Sequence, residues 1–380
     1  MPDYVPAFAC KMGACRRACC VGWPIMISLE DYFHLESLAC SPELRERMDR
    51  GVKINLNPTP DRYAQICPRF DGNCHLRMED GRCALHAELG EEALTDVCRL
   101  YPRGVRYEDG FEISCANSCE AVPELFLHRE EPLRFEHREM TILMPKQAKK
   151  TFSFSTLGRG QELRLWLISL MQNRALSLPQ RLTLLKNRLL EAETVLEAGD
   201  EQALNALLAD DTVTVPDPPA PDEKALRFGI DTAEQLLNLL DEESDSIRDY
   251  GLAALAYFGK GDQAYENYRR AKARFETAFP RWQNYFEHLL VNHMFFAEFP
   301  FQDRPENFTE ELMALAVIYT LLRFLCIGWI AGHGTEEDLI NVTAAAFRLI
   351  DHTDFEHRAV QLLKELHSDD LSRLDQWIIL

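Results

Sequence analysis

Eleven of the twelve cysteines in this chain lie within the first 119 of its 380 residues, and only Cys326 lies elsewhere. Such a density is typical of cysteines that either form disulfides or bind metal. Thiolates are soft ligands that suit zinc and iron–sulfur clusters. We therefore expect the N-terminal third to carry the chemistry. Cys326 lies in an apolar run, where a cysteine acts as a small packing residue.

Three observations favour metal over disulfides. The first residues, MPDYVP, lack the basic and apolar segments of a signal peptide, which predicts a cytoplasmic protein. Thiols stay reduced in the cytosol, where clustered cysteines usually bind metal or carry redox chemistry. A bridge between the adjacent residues Cys19 and Cys20 would close a strained ring. Metal binding is the predicted role.

The spacing of the cysteines does not distinguish zinc from an iron–sulfur cluster. Zinc sites with four protein ligands usually contain two C-x2-C pairs, and the sequence has none. The C-x3-C-x2-C signature of radical S-adenosylmethionine enzymes is also missing, because Cys20 directly follows Cys15-x3-Cys19. Both metals stay open at this point.

The cysteines of the N-terminal third lie in five motifs. They are Phe8-x-Cys10-x4-Cys15-x3-Cys19-Cys20-x-Gly22-Trp23, Cys67-Pro68 followed by Cys74, Gly81-x-Cys83-x2-His86, Cys98-Arg99-x-Tyr101-Pro102-Arg103 and Ser114-Cys115. In this order over residues 1–120, the motifs resemble those of the bacterial flagellin lysine-N-methylase family, and a weaker similarity runs from Asn284-Tyr285 through Asn292 to Phe299-Pro300-Phe301. The N-terminal motifs are also similar to a wider group described as zinc- or iron-chelating domains.

The resemblance implies an S-adenosylmethionine-dependent methyltransferase with a [4Fe-4S] cluster, acting on lysines of flagellin. Cys40 and Cys119 lie outside the family pattern, so we expect their replacement to leave the metal content unchanged. His86 is a possible further ligand, a hydrogen-bond donor beside the ligands, or a solvent-facing residue. The resemblance implies ligands from among Cys10, Cys15, Cys19, Cys20, Cys67, Cys74, Cys83, Cys98 and Cys115.

Two sets of residues are candidates for binding and catalysis. Arg99 and Arg103 could offset the charge of a thiolate cluster, bind the carboxylate of S-adenosylmethionine, or form surface ion pairs. Tyr285, His288 and Asn292 share one helical face in an aromatic stretch. Aromatic faces stabilise cations such as a sulfonium, although aromatic residues at helical spacing usually form a core.

No glycine-rich nucleotide loop is evident. Gly158-Arg-Gly160 and Gly259-Lys-Gly261 do not follow predicted strands, so a doubly wound dinucleotide-type fold is not supported. The sequence therefore does not place the methyl-donor site.

The secondary-structure elements that we predict around these residues indicate a mainly α protein. We predict an irregular cysteine-rich metal-binding domain over residues 1–125 and a helical domain over residues 126–380, with a Pro-rich acidic linker or loop near 211–222. Within residues 24–50, Ser28 with Asp31 and Ser41-Pro42 are typical of helix starts.

Short strands are expected in the rest of the first domain. Asp109-Gly110 between two apolar runs predicts a β-hairpin over 105–113. Residues 73–76 and 82–85 could form small hairpin strands, and alternation over 134–155 suggests further strands.

From residue 159 the apolar period becomes helical. Helices are predicted from 159 to 199 with a break near Pro179, and then near 225–241, 245–258, 262–278, 280–297, 308–332, 336–350 and 354–366. Leu312–Gly332 is long enough to span a membrane, but Arg323 at its centre would be costly in lipid. We expect a buried core helix and no membrane association.

The net charge of −20 bears on the partners. Residues 1–120 contain 14 basic and 19 acidic residues, so most of the negative charge lies in the helical part. Such a surface repels nucleic acid and anionic membranes and attracts basic groups such as lysine. Solubility alone is the alternative explanation.

The leading hypothesis is a lysine methyltransferase acting on flagellin by polar displacement rather than radical chemistry. Two alternatives from other classes are an iron–sulfur or zinc protein with a redox role, and a structural zinc protein that serves as an interaction module.

Overall fold

The computed structural model describes residues 1–107, 111–139, 156–210, 212, 215, 223–239, 245–301, 308–367, 369–371 and 374. These residues form fifteen α-helices and five short strands, which confirms the mainly α prediction. The elements up to residue 127 are short and irregular, whereas long helices make up the rest.

A small antiparallel sheet organises the N-terminal region. Its strands are β1 (Ile25–Ile27), β2 (Val52–Ile54) and β3 (Ala64–Ile66), in the order β1-β3-β2. Two helices, α1 (Leu29–Ser37) and α2 (Pro42–Gly51), connect β1 to β2. The three-residue strands were not predicted, because so short a run carries too little alternation to be recognised.

Both predicted helix starts in this region are confirmed. Ser28 Oγ accepts a hydrogen bond from the Asp31 amide at 3.0 Å, and the Asp31 carboxylate accepts one from the Ser28 amide. Ser41 Oγ accepts from the Leu44 amide at 3.2 Å, with Pro42 at the first helical position. These bonds satisfy amide groups that have no partner inside the helix.

The prediction of strands at 82–85 is wrong beyond Cys83. Residues 84–89 form helix α3 (Ala84–Leu89), and only an isolated bridge pairs Arg77 with Cys83. The sequence Ala-Leu-His-Ala-Glu-Leu consists mostly of strong helix formers. At 73–76, pairing is limited to single bridges at Asn73 and Cys74. Helix α4 (Asp96–Leu100) follows.

The predicted hairpin is confirmed as β4 (Arg103–Tyr107) paired with β5 (Phe111–Cys115), with Val105 opposite Ile113. Its turn at 108–110 lies outside the described residues, as do residues 140–155 of the predicted strand region and most of the proposed linker at 211–222. Helix α5 (Ala121–Leu127) comes next.

The remaining helices follow the predicted periodicity, with the addition of α8. They are α6 (Gly160–Met171), α7 (Leu178–Ala198), α8 (Glu201–Leu208), α9 (Glu223–Leu239), α10 (Asp245–Phe258), α11 (Asp262–Ala278), α12 (Trp282–Phe296), α13 (Phe308–Ile330), α14 (Glu336–His352) and α15 (Phe355–Glu365).

Helix α13 is the centre of the larger core. In the part of the chain that the structure describes, it is the one helix long and apolar enough to cross a membrane, and 94% of its most apolar window is buried inside the protein. This burial confirms the core-helix prediction. Cys326 is fully buried on this helix, and burial raises the pKa of its thiol well above the usual value.

Two hydrophobic cores are present. The smaller one contains the sheet, α1 and α2 together with Cys74, and the larger one contains the helices after residue 160. The N-terminal residues Tyr4, Val5 and Phe8, and the segment from Ile113 to Phe126, pack into the larger core. The division into two domains at residue 125 stays a prediction.

Candidate functional site: a cavity lined by cysteines

A cavity of about 440 Å³ lies in the N-terminal region. Seven cysteines line its wall, together with Trp23, His86, Tyr101 and several arginines. Because the thiols come from parts of the chain up to 88 residues apart, the fold brings together groups that the sequence keeps separate. The cysteines that line it are Cys10, Cys15, Cys19, Cys20, Cys74, Cys83 and Cys98.

Two loops cross beside the cavity at Gly13 and Gly81, and both glycines line it. Their φ angles are +105° and +85°. A Cβ atom built on Gly13 would lie 2.6 Å from the carbonyl carbon of Gly81. Only glycine combines this conformation with such close backbone contact. The crossing holds the loop that carries Cys10 and Cys15 against the turn that leads to Cys83.

Glu120 fixes the other side of the first loop. Its carboxylate accepts hydrogen bonds from the backbone amides of Arg16 and Arg17, both at 3.2 Å, and from Lys11 Nζ at 2.9 Å. Burial raises the pKa of Glu120, but these contacts and the charge of Arg16 lower it below its usual value. Lys11 and Arg16 also pair with Glu124 at 2.6 and 2.9 Å. The loop is thereby attached to the residue that follows Cys119.

Four of the cavity thiols form one electrostatically connected group, Cys20, Cys74, Cys83 and Cys98. The thiol of Cys98 interacts with the other three, and burial raises its pKa to about 12. Burial likewise raises the pKa of Cys74 to about 11 and that of Cys83 by a smaller amount. A hydrogen bond from Cys19 and the positive charge of Arg77 lower the pKa of Cys20 to about 7. One thiolate in this group is therefore favoured near neutral pH.

A second group contains Cys10, Cys15, Cys19 and Cys119. Burial raises the pKa of Cys119 to about 12, and the nearby thiols of Cys15 and Cys10 add to this effect. Cys19 also interacts with Cys119, and its hydrogen bond to Cys20 raises its own pKa. The structure thus places Cys119 beside predicted ligands, although it lies outside the family pattern. Its exclusion from the ligand set stays a prediction.

Two predicted ligands do not line the cavity. Cys115 is fully buried on β5 and packs into the larger core. Cys67 Sγ accepts a hydrogen bond from Gln65 Nε2 at 3.5 Å. Cys40, which was not expected to be a ligand, also lies off the cavity wall. Among the described residues, no group of three or more His, Cys, Asp or Glu side chains has the arrangement of a metal-ion site.

The predicted cofactor-binding arginines both line the cavity. Arg99 donates a hydrogen bond to Asp96 Oδ1 at 2.5 Å. The guanidinium of Arg103 lies 5.0 Å from the ring centre of Phe8, and within the described ranges no carboxylate pairs with it. Arg103 is therefore the better placed of the two to bind an anionic group. His86 also lines the wall, beside Cys83.

The predicted catalytic residues on α12 lie elsewhere. Tyr285 OH is 2.7 Å from Thr343 Oγ1, and His288 Nε2 is 3.0 Å from the Glu131 carbonyl oxygen. Asn292 donates to the carbonyl oxygen of Cys115 at 2.8 Å and accepts from Tyr4 OH at 2.6 Å. All three are buried and none lines the cavity. A catalytic role for them stays a prediction.

A cluster that sequence reasoning missed joins the cavity to the helical part. Tyr101 OH lies 3.1 Å from Ser118 Oγ, which lies 2.9 Å from Nε2 of His352 on α14. The imidazole of His352 stacks on Trp23, with ring centres 6.5 Å apart and planes 14° from parallel. Trp23 and Tyr101 belong to recognisable motifs, but nothing in the local sequence marks His352 or Ser118.

One comparison with known proteins concerns the helical part. A family model described as the FliB lysine N-methylase C-terminal domain matches residues 164–380, more than half of the chain. The lysine-N-methylase of Salmonella typhimurium strain LT2 is 27% identical over 176 residues, which cover 45% of this chain and 42% of the relative. The lysine-N-methylase of Salmonella choleraesuis strain SC-B67 gives the same identity and coverage. The match thus spans less than half the length of these relatives. No solved structure matches significantly.

Proposed function

Because this chain belongs to the FliB lysine N-methylase family, we propose that it transfers methyl groups from S-adenosylmethionine to side-chain lysines of flagellin. Both curated relatives carry the name lysine-N-methylase. The single observation that supports a cofactor in the N-terminal region is the cavity on which seven cysteines converge. That region lies outside the matched range, so its role is argued from its own residues.

We infer that the cavity holds a [4Fe-4S] cluster bound by Cys20, Cys74, Cys83 and Cys98. Four thiolates are the usual ligand set of such a cluster. In support, these four thiols line one cavity and are close enough to interact electrostatically, although among the described residues they do not have the arrangement of a metal-ion site. When bound, the cluster would cross-link four separate segments of the chain and could carry an electron. Arg77 lowers the pKa of Cys20 and so favours the thiolate that a ligand must be.

The same cavity supports a proposal for the methyl donor. Its volume of about 440 Å³ falls within the range of about 300–1,000 Å³ for small-molecule sites. We propose that Arg103 binds the carboxylate of S-adenosylmethionine, since Arg99 already pairs with Asp96. Trp23 and Tyr101 offer aromatic faces to the sulfonium.

The proposed reaction is a polar displacement. The lone pair of a neutral lysine Nζ attacks the methyl carbon, and a nitrogen–carbon bond forms. The sulfur–methyl bond of the donor breaks and its electron pair remains on sulfur, which leaves S-adenosylhomocysteine. The nitrogen gives up one proton for each methyl group that it gains. Since the radical signature is missing from the sequence, the cluster has a structural role in this proposal.

The charge distribution supports a basic protein segment as substrate. Of the net charge of −20, residues 1–120 carry −5, from 14 basic and 19 acidic residues, and the remainder carries −15. A negative surface raises the local concentration of lysine-bearing segments and repels nucleic acid and anionic lipid. We propose a cytoplasmic enzyme that acts on flagellin, without a nucleic-acid or membrane partner.

The decisive experiment combines anaerobic purification with a transfer assay. We expect a visible absorption band that dithionite bleaches, and methyl groups on flagellin lysines by mass spectrometry when S-adenosylmethionine is supplied. No 5′-deoxyadenosine should form. Its appearance would contradict the polar mechanism, and a lack of methylated lysine with intact cluster would contradict the methyltransferase assignment.

The alternative function is an iron–sulfur or zinc protein without methyltransferase activity. The observation that favours it is the position of the thiol cavity, which lies entirely outside the family-matched residues 164–380. A colourless protein that binds zinc and transfers no methyl group would support this alternative.

A further inference from the structure

We propose that Tyr101, Ser118 and His352 form a proton path that deprotonates the substrate lysine, and that Trp23 guides this lysine into the cavity. The proposal rests on the proposed methyltransferase function. It adds a route for the proton that the reaction releases.

The geometry of the path is continuous. Tyr101 lines the cavity, its hydroxyl is 3.1 Å from Ser118 Oγ, and Ser118 Oγ is 2.9 Å from His352 Nε2. The hydroxyl oxygens of Tyr101 and Ser118 each accept a proton from the cavity side and donate their own proton toward His352. The lysine ammonium loses a proton at Tyr101, and the imidazole of His352 becomes an imidazolium. Tyr101 and Ser118 end unchanged.

His352 also lies where a proton can leave the protein. The residue is exposed at the surface, at the C-terminal end of α14, while its ring faces Trp23 and Tyr101. Trp23 is 42% exposed and lines the cavity as well. An aromatic side chain that is open to solvent and reaches a cavity suits the alkyl chain and ammonium of an incoming lysine.

The surroundings of His352 favour the neutral form of its imidazole. Loss of water around the ring lowers the pKa of His352, although one side of the residue remains exposed; Asp351 raises the pKa and Arg348 lowers it. Asp351 also accepts from the Ser118 amide at 3.3 Å. On the cavity side, the groups that face Tyr101 are Cys19, Cys119 and Arg348.

The test measures kcat/KM for flagellin methylation between pH 7 and 9 in the full chain. The wild type should show a shallow profile, because His352 is already neutral. In Ser118→Ala, Tyr101→Phe and His352→Ala, only lysines that are neutral in solution should react. Since free lysine has a pKa of about 10.4, kcat/KM should then rise about tenfold per pH unit.

Three controls separate a proton path from a merely structural contact. Added imidazole should restore the shallow profile of His352→Ala, because a diffusible base replaces the missing one. His357→Ala, on α15, should behave as wild type. Iron content and circular dichroism identify any misfolded variant, and Tyr101→Phe, which keeps the ring, provides the answer if His352→Ala does not fold.

The outcomes are distinct. If the wild type methylates flagellin and all three variants show profiles parallel to it, without rescue by imidazole, the proton path is wrong and the proposed function stands. If the wild type transfers no methyl group, the proposed function and the path fail together. Steep variant profiles with imidazole rescue support the path.

Discussion

The backbones of Gly13 and Gly81 cross in direct contact, such that a Cβ atom added to Gly81 would lie 2.5 Å from the carbonyl oxygen of Gly13. This crossing sets the distance between the loop that carries Cys10 and Cys15 and the turn that ends at Cys83. Of the four proposed cluster ligands, Cys83 is the one whose position should depend on this contact between two glycines.

The first prediction is that Gly81→Ala weakens the N-terminal region. The added methyl group must displace the Gly13 backbone, and φ +85° is unfavourable for alanine. We therefore expect the free energy of unfolding to fall by roughly 2 kcal/mol or more. The rate of iron release to a chelator should rise. Gly90→Ala is the matched control, because Gly90 has the same φ of +85° and no neighbouring atom within 4 Å of its added Cβ. If both variants lost the same free energy of unfolding and released iron at the same rate, the contact between Gly13 and Gly81 would not stabilise the region.

The second prediction concerns the cluster ligands. Serine at Cys20, Cys74, Cys83 or Cys98 should lower iron and sulfide content and destabilise the region, since the metal would join four segments that are separate in the sequence. Cys67→Ser serves as control, because Cys67 does not line the cavity. Iron is quantified by elemental analysis after anaerobic purification. Full iron retention in all four variants would rule out this ligand set.

The third prediction concerns a buried ion cluster. Glu287 is fully buried and accepts from Arg181 Nη1 at 2.6 Å and from Arg174 Nη2 at 2.8 Å. Glu287→Ala leaves the buried Arg181 without this partner and should lower the free energy of unfolding by about 3–5 kcal/mol. Glu191→Ala removes an exposed partner of Arg188 and should cost less than about 1 kcal/mol. Urea unfolding measures both, and similar values would contradict the prediction.

The fourth prediction is a pH dependence of stability. Burial alone would lower the pKa of His293, but Glu356 Oε1 at 2.7 Å and Asp351 Oδ1 at 3.3 Å raise it to about 10. Because the folded pKa lies above the unfolded value of about 6.5, the stabilisation is fully present below about pH 6.5 and is lost as the pH rises through about 10.

The measurement is the urea midpoint of wild type and His293→Gln between pH 6 and 10. The difference between the two proteins should be largest at pH 6 and shrink toward pH 10. A difference that stays constant with pH would show that His293 is not protonated in the folded protein.

The fifth prediction concerns salt. If the acidic helical surface attracts flagellin, raising the ionic strength from about 0.01 to 0.15 M shortens the Debye length from about 30 to 8 Å and should raise KM. The single-turnover rate of bound substrate should change little, because screening acts on the approach of the substrate and not on a complex that has already formed. If salt lowered the single-turnover rate and left KM unchanged, electrostatic capture would be contradicted.

The sequence predicted the helices more completely than the site. Helical periodicity extends over whole turns in segments such as Phe308–Ile330, so local residues suffice to define the element. Helix α8 was not predicted, although it follows Asp200, a residue type that often caps helices. In the structure the Asp200 side chain accepts a hydrogen bond from the Ala203 amide.

The grouping of the thiols could not be predicted from spacing. Cys20 and Cys98 interact because helix α4, which carries Cys98, packs against strand β1, which follows Cys20 in the chain. Likewise, Cys119 approaches Cys10 and Cys15 because Glu120 binds the backbone of Arg16 and Arg17. His352 joins Tyr101 across 251 positions, and a single residue at that separation leaves no pattern in the sequence.

The bond between Tyr4 and Asn292 has a consequence for synthesis on the ribosome. These residues are separated by 288 positions, and at about 5–20 residues per second the second emerges roughly 15–60 s after the first. The segment with Tyr4 and Phe8 packs into a core that does not yet exist during that interval. Until the helices of that core have been synthesised, the neighbouring thiols of Cys10 and Cys15 therefore lack the packing that positions them in the folded protein. Iron delivered before translation ends would meet an open set of thiols rather than a closed cavity.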